Sequence, residues 1–246
     1  MTVHLILSFD DASGHNVKAS SLLEKHDLKA CFYLDTDRMS REMDEEDVRG
    51  ISQRNEIGGH GVTHRDLVRL EPEEAAWEIF ECKKRLEDLI DKPVRSFAYP
   101  FGSYDAEIKT ILPTADYTSG RTTEPYNTSI GRDLYQIGVT SWGSPHPYRK
   151  IFHAMKFLSP SRLLLEPTLI KRWDKFTEMI LNKMMDRGSG VLHLLLHAPF
   201  IEERSEWPRL ENLLEIFSTL KDNLENPTIT RYLESIRIGD LQIRDP

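Results

Sequence analysis

Short apolar runs alternate with longer, helix-like stretches along the whole chain, and this alternation restricts the fold more than any other feature. Residues 3–9, 29–34, 94–99 and 191–196 have the length and apolar content of strands, and 56–59 reads as a very short strand or strand end. Residues 16–26, 44–54, 72–90, 166–187 and 207–220 read as helices, as does a stretch capped by Ser103 or Asp105 that runs to Leu112. Pro72 suits the first turn of its helix, where a missing N–H costs nothing, and Glu71, Glu73 and Glu74 suit the positive end of its dipole. Between residues 115 and 160 the pattern is irregular, with short strands expected at 117–119 and 135–140, and weaker elements follow Pro227. Strands that alternate with helices predict an α/β fold with a mostly parallel sheet. The run 191–196, apolar at nearly every position, predicts a strand covered on both faces.

Composition narrows the function classes. The 246 residues carry 32 Lys and Arg against 40 Asp and Glu, a formal charge of −8, which argues against binding a phosphate backbone. Cys31 and Cys82 cannot build a disulfide framework and are expected to be inert buried thiols. The apolar run at 3–9 ends at Asp10-Asp11 and lacks a basic leader or a small-residue cleavage site. No stretch approaches the roughly 20 apolar residues of a membrane span. The expectation is a cytoplasmic protein with no membrane span and no nucleic-acid partner, built as one domain over residues 1–246.

In parallel α/β folds, sites gather at the C-terminal ends of strands. Four expected strands end in groups able to do chemistry: Asp10-Asp11, His60-Gly61-Val62-Thr63-His64, Tyr99-Pro100-Phe101-Gly102 and His197-Ala198-Pro199. Each has a plainer reading, since an Asp-Asp pair commonly caps a helix and two exposed histidines often fall four apart. Together they are harder to dismiss. One Asp and two His form an oxygen–nitrogen set for a divalent metal with open positions. A second carboxylate could serve as base and a further His as acid.

Those four segments, with Ser8-Phe9 before the aspartates, Phe97-Ala98 before Tyr99 and Leu194-Leu195-Leu196 before His197, resemble in order and spacing the motifs of the polysaccharide deacetylase (NodB-homology) family, the carbohydrate esterase family 4 type. The resemblance spans about residues 3–220 and implies a distorted (β/α) barrel, usually of seven strands, that hydrolyses acetyl groups on sugars with one divalent metal. It implies Asp11, His60 and His64 as metal ligands, with zinc, cobalt or nickel as the ion. By the same likeness Asp10 is the general base, the backbone N–H of Phe101 binds the oxyanion, and His197 protonates the leaving group. The implied partner is an acetylated carbohydrate.

The chain departs from the family pattern at four places. Ala12 stands where Gly usually follows the aspartates, and Gly61 where Ser or Thr follows the first metal histidine. Ala98 occupies the position where many members carry an Arg that orients the base, and no Asp-Trp motif is recognisable between 115 and 160, Ser141-Trp142 being a poor substitute. Loss of an Arg together with its acidic partner avoids stranding a buried charge, which points to a coherent variant. Arg121 is one source of replacement charge, a surface arginine the plainer reading. His193 shares a strand face with His197 and is either a barrel-lining neighbour of the site or a satisfied core histidine. His4, His15, His26, His146 and His153 have no motif support. The leading expectation is a metal-dependent deacetylase acting on an N-acetylated amino sugar in a polysaccharide, oligosaccharide or glycan precursor. The alternatives are a cyclic amide or imide hydrolase on the same fold and a non-catalytic glycan-binding relative.

Overall fold

The computed structural model describes residues 2–144 and 171–242, and within them the apolar runs lie side by side in one parallel sheet. Strand β1 (Val3–Asp10) is central. On one side follow β2 (Cys31–Leu34), β3 (Glu56–Gly59), β4 (Ser96–Ala98) and β5 (Ser119–Arg121); on the other lie β7 (Gly190–Leu196) and then β6 (Ser141–Trp142). Every pairing is parallel, and a two-residue β8 (Leu224–Glu225) adds to the start of β1. The seven-strand path β5-β4-β3-β2-β1-β7-β6 curls into the expected distorted (β/α) barrel.

The two edges of this path meet through the segment 137–142. Ile137 N–H donates to Gly120 O and Ile137 O accepts from Thr122 N, both at 2.8 Å, while Thr140 N–H donates to His193 O at 2.7 Å. The strand expected at 135–140 is therefore a bridge between β5 and β7 with no continuous ladder of its own. The strand expected at 117–119 lies two residues later, because its place is set by pairing Ser96↔Ser119 and Ala98↔Arg121.

Helices α1 (His15–Lys25), α2 (Thr36–Glu42), α3 (Glu45–Arg54), α4 (Pro72–Ile90) and α5 (Ala106–Thr114) follow the first strands, and Trp173–Arg187, Ala198–Glu203, Trp207–Thr219 and Ile229–Gln242 follow later. Asp105 caps α5, its carboxylate accepting from Ile108 N at 2.8 Å. The short helices α2 and Ala198–Glu203 were not expected from periodicity. Of the helix expected at 166–187, residues 166–170 lie outside the described residues, as do His146 and His153.

Alternation along the strands separates two environments. Leu5, Leu7 and Phe9 of β1, Phe32 and Leu34 of β2, and Leu192, Leu194 and Leu196 of β7 join one large cluster under the helices. Each such side chain contributes about 1.5–3 kcal/mol when fully buried. Ile6, Cys31, Tyr33, Ala98 and Val191 form a smaller cluster inside the barrel, joined by Ile229, Tyr232 and Leu233 of the last helix. That helix and β8 sit at the N-terminal end of the strands, where Thr230 Oγ1 donates to Glu56 Oε1 at 2.7 Å. The C-terminal ends are left to the polar residues. Both cysteines are buried, and burial pushes the Cys82 thiol up to about 12 and that of Cys31 well above its usual range, so neither supplies a thiolate. Among the described residues no helix is long and apolar enough to cross a membrane.

Candidate metal centre

The aspartates that end β1 do not cap the next helix: α1 begins after Gly14 with no side-chain cap bond. Asp10 is the last residue of the strand and points into the barrel, whereas Asp11 turns to φ 69°. This left-handed turn is fixed by its neighbours. Asn16 Nδ2 donates to Asp11 O, and Ala12 N–H donates to Asp35 Oδ1, each at 2.9 Å.

His60 lies just past β3, where its N–H continues the ladder to Leu34 O at 3.1 Å. Its Nδ1 donates to Ala98 O at 2.7 Å, which fixes the tautomer and leaves Nε2 with a lone pair. Full burial, the largest influence, pushes its pKa down to about 4. His64 follows a turn through Gly61 at φ 83° and itself sits at φ 57°. The left-handed backbone accounts for glycine at position 61, because a side chain there is strained. Burial opposes charge on His64, but the bond and charge of Asp11 prevail and raise its pKa. Asp11 is also buried, yet His64, His60 and His197 together hold its carboxyl well below the usual carboxylate range.

These three residues converge. His64 Nε2 lies 3.2 Å from both His60 Nε2 and Asp11 Oδ1, and Asp11 Oδ1 lies 3.7 Å from His60 Nε2. A tetrahedral ion with bonds of about 2.0–2.2 Å separates its ligand atoms by about 3.3–3.6 Å. The triangle therefore has the size, and the nitrogen–oxygen chemistry, that a small divalent cation requires. Asp11, His60 and His64 form the one such cluster among the described residues. Asp11, His64 and Phe101 (φ 59°) all hold left-handed backbone, a cost that ordered sites sustain when the surroundings leave no alternative. The Phe101 ring meets His64 edge-on at 4.7 Å and is 64% exposed, beside the cluster and open to solvent.

Asp10 lies behind this cluster, its Oδ2 4.0 Å from His60 Nε2. Its other oxygen accepts from Arg121 Nη2, and both side chains are almost fully buried. The plainer reading of Arg121 as a surface arginine is thus wrong. It is 1% exposed, and its guanidinium stacks 5.0 Å over the Tyr33 ring. Ala98 and Arg121 are paired residues in the β4–β5 register. The positive group missing from position 98 is supplied one strand over, at the same height in the barrel. Local pattern carried only a weak sign of this, a lone Arg in Ser119-Gly120-Arg121-Thr122.

His197 leaves β7 beside β1, where Phe9 pairs with Leu196, and its ring stacks on Phe200 at 5.1 Å. His193 is a buried barrel histidine bonded on one side only: its Nε2 lies 3.0 Å from Ser8 Oγ, its Nδ1 is enclosed without a hydrogen-bond partner among the described residues, and burial pushes its pKa down to about 3. Trp142 donates from its indole to Thr123 O at 3.2 Å beside β7. Two groups near the cluster carry no sign in the sequence. Arg38 of α2 reaches Asp11 Oδ2 at 3.5 Å and Asp35 Oδ2 at 3.3 Å, and the carboxylate of Glu78 on α4 holds the loop between the histidines.

Residues 3–120, which supply every one of these groups up to the end of β5 except Arg121 itself, match the family model for polysaccharide deacetylase. No curated protein matches the chain at a significant level. Among solved structures, a Streptococcus pyogenes deacetylase, PplD, in complex with acetate is 23% identical over 54% of this chain and 62% of its own, with a TM-score of 0.52. The chain thus spans about three-fifths of that relative's length. A CE4 family pseudoenzyme from Bacillus anthracis is 18% identical over 94% of this chain and 65% of its own, with a TM-score of 0.59. The peptidoglycan deacetylase PdaC of Bacillus subtilis, as a D285S mutant, is 14% identical over 97% and 93%, with a TM-score of 0.62. At such identities the likeness establishes the shared polysaccharide deacetylase fold over nearly the whole chain.

Proposed function

We propose that this polysaccharide deacetylase relative is an active, metal-dependent hydrolase that removes acetyl groups from an N-acetylated amino sugar in a polysaccharide, oligosaccharide or glycan precursor, with residues 1–246 as one catalytic domain. Asp11, His60 and His64 would hold one divalent ion, zinc foremost and cobalt or nickel as alternatives, because their three donor atoms have the spacing of a tetrahedral face. A divalent cation there supplies Lewis acidity toward an acyl oxygen and makes a water molecule more acidic at neutral pH. Asp10 takes the proton from the attacking water. Its free oxygen, Oδ2, faces the ligand cluster, while Arg121 holds Oδ1 and keeps the carboxylate in one orientation. The Phe101 backbone N–H, in its left-handed turn, donates to the developing oxyanion, an interaction worth roughly 10²–10³ in rate. His197, just past the end of β7 and so on the strand next to that of Asp10, returns a proton to the leaving amine.

The observation that carries this reading is the buried Asp10–Arg121 pair beside three converging ligands. Holding a ligand requires no second carboxylate there, so the pair favours catalysis over a non-catalytic glycan-binding role. A cyclic imide hydrolase would use the same metal and base, and the choice of substrate separates the two. The test is acetate release from N-acetylated oligosaccharides by Zn²⁺- or Co²⁺-loaded protein. Release is expected, with Asp10→Asn slower by about 10²–10⁴. Full metal loading without release from any acetylated sugar would overturn the deacetylase reading. Unchanged metal content in His60→Ala would overturn the site.

A further inference from the structure

The loop that carries the two histidines is clamped from both sides. Its acceptors are bound by the start of α2: Thr36 N–H donates to Gly61 O at 3.2 Å and Asp37 N–H to Val62 O at 2.9 Å. Its donors converge on one side chain. Glu78 Oε2 accepts from Val62 N at 2.6 Å and from Thr63 N at 2.9 Å, while Oε1 accepts from Thr63 Oγ1 and from Arg65 Nε at 3.3 Å. Glu78 projects from the middle of α4 and is 0% exposed. Its only cationic partner in that set, Arg65, is 44% exposed at the side chain and so only weakly compensates the buried charge. A fully buried carboxylate is costly unless its oxygens are satisfied, and here the satisfaction comes almost entirely from residues 62 and 63. Those two residues lie between the left-handed Gly61 and the left-handed His64. The loop amides thus form an anion-binding concavity filled by Glu78, and emptying it removes what opposes relaxation of the strained turn.

The geometry points to Glu78 as a positioning residue for the metal centre, setting how tightly the His60–His64 pair grips a divalent cation. This rests on the metal reading of the site. Glu78 touches neither the ion's ligand atoms nor a substrate; it acts by fixing the direction of the His64 ring relative to His60, whose own ring is fixed separately by Ala98 O. Neutralising the carboxylate leaves its shape but weakens two backbone bonds and one hydroxyl bond at once.

The test is Zn²⁺ affinity of the full chain, measured by competition with a chromophoric chelator, with Co²⁺ absorption as a second readout. Glu78→Gln is expected to bind Zn²⁺ about 10–100-fold more weakly and to change the intensity of the Co²⁺ bands, as when an outer partner of a metal ligand is lost. Thr63→Val removes one of the four bonds and is expected to weaken Zn²⁺ by about tenfold or less, providing a second reading if Glu78→Gln does not fold. A Glu78→Gln protein with wild-type Zn²⁺ affinity and an unchanged Co²⁺ spectrum, even one with a lowered melting temperature, overturns the positioning role alone. A wild-type protein that binds neither ion overturns the metal reading itself, and the positioning role with it.

Discussion

The two faces of the barrel sheet are built from the same strands, yet different forces hold them. On the outer face, Leu5, Leu7, Phe9, Phe97, Leu194 and Leu196 pack against helices, with the hydrophobic effect and dispersion as the only contributions. On the inner face of the same strands, Ser8, Asp10, Ser96, Arg121 and His193 alternate with Ile6, Cys31 and Ala98, and each buried polar group depends on a particular partner. Ser8 meets His193, Ser96 donates to Glu56, and Arg121 meets Asp10. Loss of an outer residue leaves a void whose cost scales with volume. Loss of an inner residue strands its partner, so the damage is specific, charge-dependent and close to the chemistry.

The strongest test of that contrast is Arg121→Leu. It leaves the Asp10 carboxylate buried without its counter-ion, and urea unfolding is expected to show a loss of about 3–5 kcal/mol together with loss of acetate release. The double variant Asp10→Asn with Arg121→Leu should recover much of the stability and none of the activity, since no buried charge remains. Additive costs in the double variant would break the comparison. On the outer face, Leu194→Ala should cost about 2–5 kcal/mol while turnover per folded molecule stays at the wild-type level. A fall in turnover without a fall in folded fraction would show that the two faces are coupled.

A smaller effect concerns pH. Burial holds His193 at about 3, against an ordinary value of 6.5, so the unfolded chain binds a proton that the folded chain refuses. As pH falls from about 6.5 toward 3 this group costs stability, by about 1.4 kcal/mol per pH unit. His60, held at about 4, acts in the same sense over its own narrower window. In metal-free protein, His193→Gln should flatten the fall in unfolding free energy measured at pH 6, 5 and 4. An unchanged slope would mean that the barrel interior admits the charge. Outer-face variants such as Leu194→Ala should shift the whole curve without changing its slope.

The chain's linear pattern is sufficient for some of this architecture. The strand at Glu56–Gly59 and the helix from Pro72 are legible because apolar spacing, a proline at the first turn and a short glycine-ended run are local signals. The candidate ligand set is legible in part for the same reason: strand-end logic marks Asp10-Asp11 and the loop between His60 and His64 as one Asp and two His, but the choice of Asp11 comes from the resemblance to the deacetylase motifs. The helix Thr36–Glu42 escapes, being only 7 residues long with Thr36 and Met39 alone buried, too few for a readable period.

What lies beyond local spacing is the partner of Asp10, the proposed base. Asp10 and Arg121 are 111 residues apart, and the sequence offers Arg121 only as one source of replacement charge, with a surface position as its plainer reading. Their meeting follows from curling of the sheet and from a register that sets Arg121 level with Ala98. The same holds for Glu78, an acidic residue on a helix rich in them until α4 packs behind β3 and buries its carboxylate against the amides of residues 62 and 63. Residue type and local order determine which groups are able to do chemistry. Which of them become paired, buried and charged depends on strand register and on helix placement, because desolvation and hydrogen bonding act only once distant segments exclude water together.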